Sequence, residues 1–156
     1  MWCGYKMKLQ FREITPENWR TIRLEVWNDQ TQFVASYITM LARAYVYRNY
    51  NSVVFAIYRD GNPIGLLMQR DHIDGAGRML CILAQFFIDK SYQGRGYGKA
   101  AMKSWLASVE KANRYDAVEL CFISGDYAAE RLYEGLGFAR KLHSDEDDEI
   151  VMTYPL

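Results

Sequence analysis

The segment MLCILAQFFIDKSYQGRGYGKAAM, residues 79–102, joins an apolar run to a loop of alternating glycines and decides the fold prediction. Residues 79–89 have the length and β-forming content typical of a strand that is buried on both faces, so we expect this strand at the centre of a sheet. Gly94, Gly96 and Gly98 follow it. The next apolar positions recur at helical spacing, and they are Met102, Trp105, Leu106 and Val109. The sequence therefore predicts a central strand, a glycine loop and a helix.

Further elements are predicted on both sides of this segment. The start signal Thr15-Pro16-Glu17 and the spacing of Trp19, Ile22 and Val26 predict a helix. The other predicted elements are strands at 8–14, 52–58, 64–68, 117–123, 139–142 and 150–154, and helices at 34–45 and 126–136. Residues 71–77 are predicted as a loop. This order predicts a domain of the α+β class, with a mixed sheet, that spans residues 1–156 and has 1–7 as a loose N-terminal extension.

Composition excludes several function classes. The 156 residues are 50% hydrophobic and 15% aromatic, which suits one sizeable core. Lys plus Arg and Asp plus Glu both number 19, so the general attraction of a basic chain to nucleic acid is absent. We expect no membrane partner, because no apolar run approaches the roughly 18 residues of a membrane span. Residues 1–10 lack the apolar stretch of a signal peptide, which predicts a cytoplasmic location.

The cysteines and histidines do not form a recognisable metal or disulfide pattern. Cys3, Cys81 and Cys121 are an odd set without a CxxC pair, and His72 and His143 stand at no metal-ligand spacing. The sequence therefore predicts no metal. Cys81 and Cys121 lie in apolar strand runs without an adjacent histidine, so we expect core thiols with a raised pKa rather than a catalytic nucleophile.

The glycine loop is a candidate anion site. Glycines allow turns at positive φ and let a ligand approach the backbone, and the start of a helix adds unpaired N–H groups and the positive end of a dipole. A phosphate or pyrophosphate would fit these groups. A purely structural turn is the alternative, since glycine-rich loops are common.

Two known phosphate motifs fit the loop poorly. A P-loop requires a glycine where Gln93 stands and a Ser or Thr where Ala100 stands. The run Gly96–Ala101 satisfies GxGxxA, with Asp116 and Glu119 about 20 residues further on. In a dinucleotide fold, however, the loop follows its strand almost at once and the acid ends the second strand. Here Asp116 and Glu119 stand at the start of the predicted strand that follows the helix.

Two motifs resemble those of the GNAT superfamily of N-acetyltransferases. Its first signature is Gln or Arg, two residues, Gly, one residue, and Gly or Ala, which residues 93–98 match. Its second ends in a leucine, a tyrosine and a Gly-Phe pair, as in AAERLYEGLGF at 128–138. The resemblance covers residues 9–156. The stretches QFVAS at 32–36 and FAIYRDGNPIGLLM at 55–68 are similar to the bacterial spermine/spermidine (diamine) N-acetyltransferase branch.

The resemblance implies a mostly antiparallel sheet flanked by helices, with acetyl-CoA in a splayed gap beside the central strand. It implies that the pyrophosphate binds the N–H groups of 94–99 and that the pantetheine pairs with the central strand. The implied cofactor residues are Phe86, Phe87, Ile88, Gln93, Gly94, Arg95, Gly96, Tyr97, Gly98, Lys99 and Asp126. Many family members have an asparagine where Asp126 stands, and a carboxylate there could equally cap the helix.

The resemblance also implies direct transfer with Tyr133 as the general acid for the departing thiolate. The alternative is that Tyr133 only packs with Ala129 and Leu136. A backbone N–H near Phe87 or Ile88 would bind the oxyanion.

The usual strand glutamate is missing, because Ala84 and Gln85 stand before the loop. The remaining candidate bases, each of which is otherwise a structural or solvated carboxylate, are Glu25, Asp71, Glu119 and Glu149.

The substrate implied by the resemblance is a small polyamine, and the acidic run 145–149 would suit such a polycation. Glu25, Trp27, Phe33 and Glu149 are the candidate substrate residues. The four tryptophans are mostly expected in the core. Another amine, a protein N-terminus or a non-catalytic acyl-CoA-binding module are the alternatives. The resemblance also implies a homodimer.

Overall fold

A computed structural model describes residues 8–141 and 148–156, which form a seven-stranded sheet of order β1-β2-β3-β4-β5-β7-β6. The strands are β1 Leu9–Glu13, β2 Val53–Arg59, β3 Asn62–Ile73, β4 Met79–Ile88, β5 Ala117–Ile123, β6 Ala139–Arg140 and β7 Glu149–Pro155. The α-helices in these ranges are α1 Tyr37–Val46, α2 Tyr97–Ala112 and α3 Tyr127–Gly135. Short 3₁₀ turns lie at Asn28–Gln30 and Arg48–Tyr50.

The α+β prediction is confirmed. All strand pairs are antiparallel except β4–β5, which is parallel, and β4 is the fourth of the seven strands. Side chains alternate along β2, so that Ile57 packs with α2 on one face while Ala56 packs with α1 on the other. The sheet therefore separates two apolar layers, and β4 contributes to both.

The central strand diverges from β5 halfway along its length. The two strands pair only from Leu80 to Leu83, opposite Ala117 to Leu120. Ala84 forms a β-bulge, because Met68 of β3 faces Gln85 while the next residue, Gln69, already faces Leu83. A bulge bends its strand, so the second half of β4 leaves β5 and opens a gap.

The helix predicted after Thr15 is wrong. Residues 16–21 form turns and residues 22–27 lie in neither a helix nor a strand. Asn18 is one cause, because its side chain accepts from Thr15 N–H at 2.8 Å and donates to Glu13 O at 2.9 Å, and such local bonds compete with a helix. The burial of 22–27 alternates with a period of two, as expected for extended backbone.

Several smaller predictions also need correction. β3 continues through His72 to Ile73, so the predicted loop begins later than residue 71. Trp19 and Trp27 are 40% and 54% exposed rather than buried, and Cys121 is exposed. Long aromatic side chains at the ends of turns remain partly in water because the core is already filled by other residues.

The expectations for the last hairpin and for Cys81 agree with the described structure. The last hairpin forms, with Ala139 opposite Thr153. Cys81 is buried, and burial, followed by the nearby Asp71 charge, raises the pKa of its thiol to about 12. No helix in residues 8–141 is long and apolar enough to cross a membrane. Predictions for 1–7, His143 and most of the acidic run 145–149 lie outside the described residues.

Candidate active site

A cavity of about 500 Å³ lies where β4 and β5 diverge. Four parts of the chain surround it: the end of β4, the glycine loop, the start of α3 and the segment 26–34. Its lining residues are Val26, Asp29, Gln30, Phe33, Val34, Phe86, Phe87, Ile88, Tyr92, Gln93, Gly94, Gly96, Tyr97, Gly98, Gly125, Asp126, Tyr127, Ala128, Ala129, Leu132 and Tyr133. The structure thus brings most of the residues expected to bind the cofactor to one place.

The backbone of β4 presents free groups to this gap. Asp89 N–H donates to Ile64 O of β3 at 2.8 Å, and alternate residues of a strand direct their backbone groups to opposite edges. The backbone groups of Phe86 and Ile88 therefore face the gap, whereas those of Phe87 face β3. Of the two N–H groups expected near the oxyanion, that of Ile88 is the one directed to the cavity.

The glycine loop has the geometry of an anion site. Gly94 and Gly96 adopt positive φ angles of 73° and 80°, and Gly96 is the N-cap of α2. The first helical bond runs from Ala100 N–H to Gly96 O at 3.1 Å. The N–H groups of 94–99 make no turn or loop hydrogen bond to any backbone group in residues 8–141 or 148–156. The N–H groups in the first turn of a helix also have no acceptor within the helix, so these groups are unpaired. The dipole of α2 adds positive potential at the same point.

The side chains of the loop have different roles. Gln93 Nε2 donates to Ile88 O at 2.8 Å, and the Gln93 and Gln30 amides exchange hydrogen bonds at 2.9 and 3.0 Å. Tyr97 is buried, with its ring against Tyr92. These side chains hold the loop in place. The side chains of Arg95 and Lys99 are exposed and do not line the cavity.

Tyr133 lies on α3 with its ring buried and its hydroxyl unpaired. The ring packs against Phe122 and Phe138, with centroids 6.0 and 5.7 Å away. The hydroxyl donates to no acceptor among the described residues, and the residue lines the cavity. Burial is the main cause that raises the pKa of Tyr133, with the Asp126 charge second, so the phenol stays protonated. Tyr133 can therefore pack in the core, as the alternative predicts, and still offer its hydroxyl as a hydrogen-bond donor.

Asp126 caps α3. Its side chain accepts from Ala129 N–H at 3.1 Å, as the capping alternative predicts, and the residue also lines the cavity.

The cavity contains none of the candidate bases. Asp71 is buried elsewhere and accepts hydrogen bonds from Asn51, Arg114 and Tyr115. Its role is structural. The side chain of Gln85, which with Ala84 stands where the resemblance leads us to expect a glutamate, accepts from Ala35 N–H at 3.2 Å.

The other candidate acids also lie outside the cavity. Glu25 pairs with Lys90 at 2.8 Å and Glu119 with Lys141 at 3.1 Å. Glu149 is opposite Ile123 at the start of β7. An exposed carboxylate can pair with a lysine. The sequence alone therefore did not show whether these acids bind a ligand or only contact lysines and solvent.

The substrate side of the cavity differs from the prediction. Phe33 lines it, but Trp27 does not, and the Lys90 ammonium lies 5.8 Å from the Trp27 ring centre. Sequence reasoning missed Asp29, Gln30 and Val34. Their signal was weak because segment 22–27, which carries the chain to them, was expected to be helical.

Comparisons with known proteins agree with this geometry. The family model described as Acetyltransferase (GNAT) domain matches residues 50–140. A spermine/spermidine N(1)-acetyltransferase of Bacillus subtilis (strain 168) is 28% identical, over 96% of this chain and 100% of that protein. A probable spermine N(1)-acetyltransferase of Bacillus subtilis subsp. natto (strain BEST195) matches with the same identity and coverage.

Solved structures share the fold. Spermidine N-acetyltransferase from Vibrio cholerae, in complex with CoA and spermine, gives a TM-score of 0.72 at 20% identity, covering 94% of this chain and 95% of that one. The GNAT domain of S. lividans PAT gives 0.72 at 16% identity, covering 95% and 90%. The GNAT domain model matches more than half of this chain, so the chain belongs to the GNAT family of acetyl-CoA-dependent N-acetyltransferases.

Proposed function

We propose that the protein transfers the acetyl group of acetyl-CoA directly to a primary amine of a polyamine such as spermine or spermidine. One observation carries the proposal: the unpaired N–H groups of the glycine loop, the gap-facing backbone of β4 and Tyr133, whose hydroxyl has no acceptor among the described residues, all border one cavity. Direct transfer needs these three kinds of group, because a cosubstrate must be held, an oxyanion stabilised and a thiolate protonated.

The loop and β4 suit the cosubstrate. The N–H groups of 94–99 would bind the pyrophosphate at the N-terminus of α2. Any residue other than glycine would be strained at position 94, because Gly94 has a positive φ. The loop therefore exposes its backbone to a ligand. The backbone groups of Phe86 would pair with a pantetheine amide in the manner of an added strand, because Ile88 O already accepts from Gln93 Nε2 and Ile88 N–H is left for the oxyanion. Asp126 borders the same space, next to Gly125.

The chemical step uses few side chains. The acceptor nitrogen forms a bond to the thioester carbon, and the carbon–sulfur bond breaks. Ile88 N–H stabilises the oxyanion, the Tyr133 hydroxyl protonates the departing thiolate, and the proton that the attacking nitrogen loses returns through water to the Tyr133 phenolate. At pH 7 an acceptor of pKa about 10 is mostly an ammonium, and its deprotonation before attack costs roughly 4 kcal/mol. Since the cavity has no carboxylate from β4, water carries that proton to solvent.

Two observations support a polyamine acceptor. The curated relatives that match along the whole chain are named for spermine and spermidine. The charged side chains that line the cavity in the described ranges are both carboxylates, Asp29 and Asp126. A site with this charge favours a cationic acceptor.

The experiment is the release of free thiol from acetyl-CoA against a panel of polyamines, aminoglycosides, amino acids and peptides. Spermine and spermidine should give the highest kcat/KM. Faster turnover of a peptide or an aminoglycoside would reassign the acceptor. Binding of acetyl-CoA with no thiol release across the panel would contradict catalysis.

The homodimer and the cytoplasmic location are also our proposals. Exposed apolar side chains on α1, namely Ile38, Tyr45 and Val46, support self-association. The solved Vibrio cholerae enzyme is described as dodecameric. Cys81 and Cys121 are free thiols, as is usual in a reducing compartment.

A further inference from the structure

One carboxylate on the cavity wall has no partner among residues 8–141 and 148–156. Asp29 lies in the 3₁₀ turn Asn28–Gln30 and lines the cavity beside Phe33. Its carboxylate makes no hydrogen bond or ion pair with any residue in 8–141 or 148–156. Its backbone oxygen, in contrast, accepts from Gln32 Nε2 at 3.0 Å.

The position of Asp29 is fixed relative to the glycine loop. The adjacent Gln30 pairs with the Gln93 amide, and Gln93 in turn donates to the end of β4. Asp89 ties the same segment to β4, because its carboxylate accepts from the N–H groups of Glu25 and Ser91 at 2.8 and 2.9 Å. These bonds hold the segment that carries Asp29 against the glycine loop and the end of β4.

The other acid on the cavity wall is already engaged. Asp126 caps α3 and lies next to the cofactor groups. Glu25 and Glu119 are paired with lysines outside the cavity. Asp29 is exposed, so its attraction for an ammonium is modest and weakens as salt is added.

We propose that Asp29 binds the ammonium group of the acceptor that is not acetylated, and so selects diamines and polyamines over monoamines. This inference rests on the proposed function and deepens it. Asp29 positions the substrate and takes no part in proton transfer.

The test is calorimetric binding of spermidine to the CoA-saturated protein, together with kcat/KM for spermidine and for butylamine. Asp29→Asn should weaken spermidine binding by about five- to tenfold and reduce kcat/KM for spermidine equally, with the butylamine value and the KM for acetyl-CoA unchanged. Asp29→Glu should restore most of the affinity. Glu17→Gln is the control, since it removes the same charge from an exposed turn outside the cavity.

The outcomes separate this inference from the proposed function. Turnover of spermidine with equal affinities in wild type and Asp29→Asn overturns the inference alone. An equal loss for butylamine also overturns it, because that pattern indicates distortion of the site. Spermidine binding that depends on Asp29, without turnover of any amine, supports the inference and contradicts the proposed function.

Discussion

Tyr133 shows how one side chain can serve both the core and the site. Its ring is buried against Phe122 and Phe138, its hydroxyl donates to no described residue, and the residue lines the cavity. Tyr115 is the opposite case, because its hydroxyl donates to Asp71 at 2.7 Å, away from the cavity. Sequence motifs singled out Tyr133 but could not show that its hydroxyl is unpaired, since that depends on contacts between distant elements.

Tyr133→Phe should lower kcat by roughly 10²- to 10⁴-fold and change the KM for acetyl-CoA little, because the proton donor acts mainly in the transition state. The melting temperature should hardly change, since no protein hydrogen bond is lost. Steady-state thiol release at saturating amine and a melting curve on the same preparation measure both. An unchanged kcat would refute the acid role.

Tyr115→Phe is the matched control for that experiment. It removes a hydrogen bond to a buried carboxylate, so we expect a loss of about 1.5–3 kcal/mol in the free energy of unfolding. Its kcat should equal that of the wild type. A fall in kcat as large as that of Tyr133→Phe would mean that loss of activity follows from reduced stability.

The pH profile provides a second check on Tyr133. Its pKa is raised, mainly by burial, so the phenol remains protonated below its ordinary value of about 10. We expect kcat/KM for the amine to rise between about pH 7 and pH 9 as the acceptor loses its proton, without a descending limb in that range. A descending limb that disappears in Tyr133→Phe would show a lowered pKa and contradict this account.

At the scale of elements, β4, the glycine loop and α2 could be predicted because apolar runs, glycines and helical spacing are local signals. The segment 15–27 was mispredicted, since Ile22 and Val26 are four residues apart and satisfy a helix as well as an alternating strand. The bulge at Ala84 has no local signal either, because its register depends on the pairing of β3 with β4. On the cavity wall at 26–34, Phe33 was predicted, but Asp29, Gln30 and Val34 were missed because the segment that leads to them was expected to be helical.

Gly96→Val tests the loop as an element. The side chain would face a φ of 80° and cover the backbone N–H groups, so calorimetry should show loss of acetyl-CoA binding. Gly77→Val is the control, because Gly77 also has a φ of 80° but lies outside the cavity. Both variants should lose similar stability, and retained affinity in Gly96→Val would mean that the loop is structural.

At the scale of the whole molecule, the sheet separates an α1 layer from an α2–α3 layer, and the gap between β4 and β5 opens the second half of the central strand to ligand. The order of elements predicted this architecture, but the depth and charge of the cavity depend on contacts between segments far apart in sequence.

The exposed face of α1 belongs to this scale too. Light scattering should give the mass of a dimer, and Ile38→Glu should reduce it to that of a monomer; a monomeric wild type would contradict the dimer.

We expect this cavity to acetylate polyamines in preference to simple amines. The most direct measurement is a competition in which acetyl-CoA reacts with equal amounts of spermidine and butylamine, since the product ratio equals the ratio of kcat/KM values. Mass spectrometry should show acetylspermidine in at least about tenfold excess at low ionic strength, with the excess falling as salt screens the charges. Equal amounts of the two products at every salt concentration would contradict the claim.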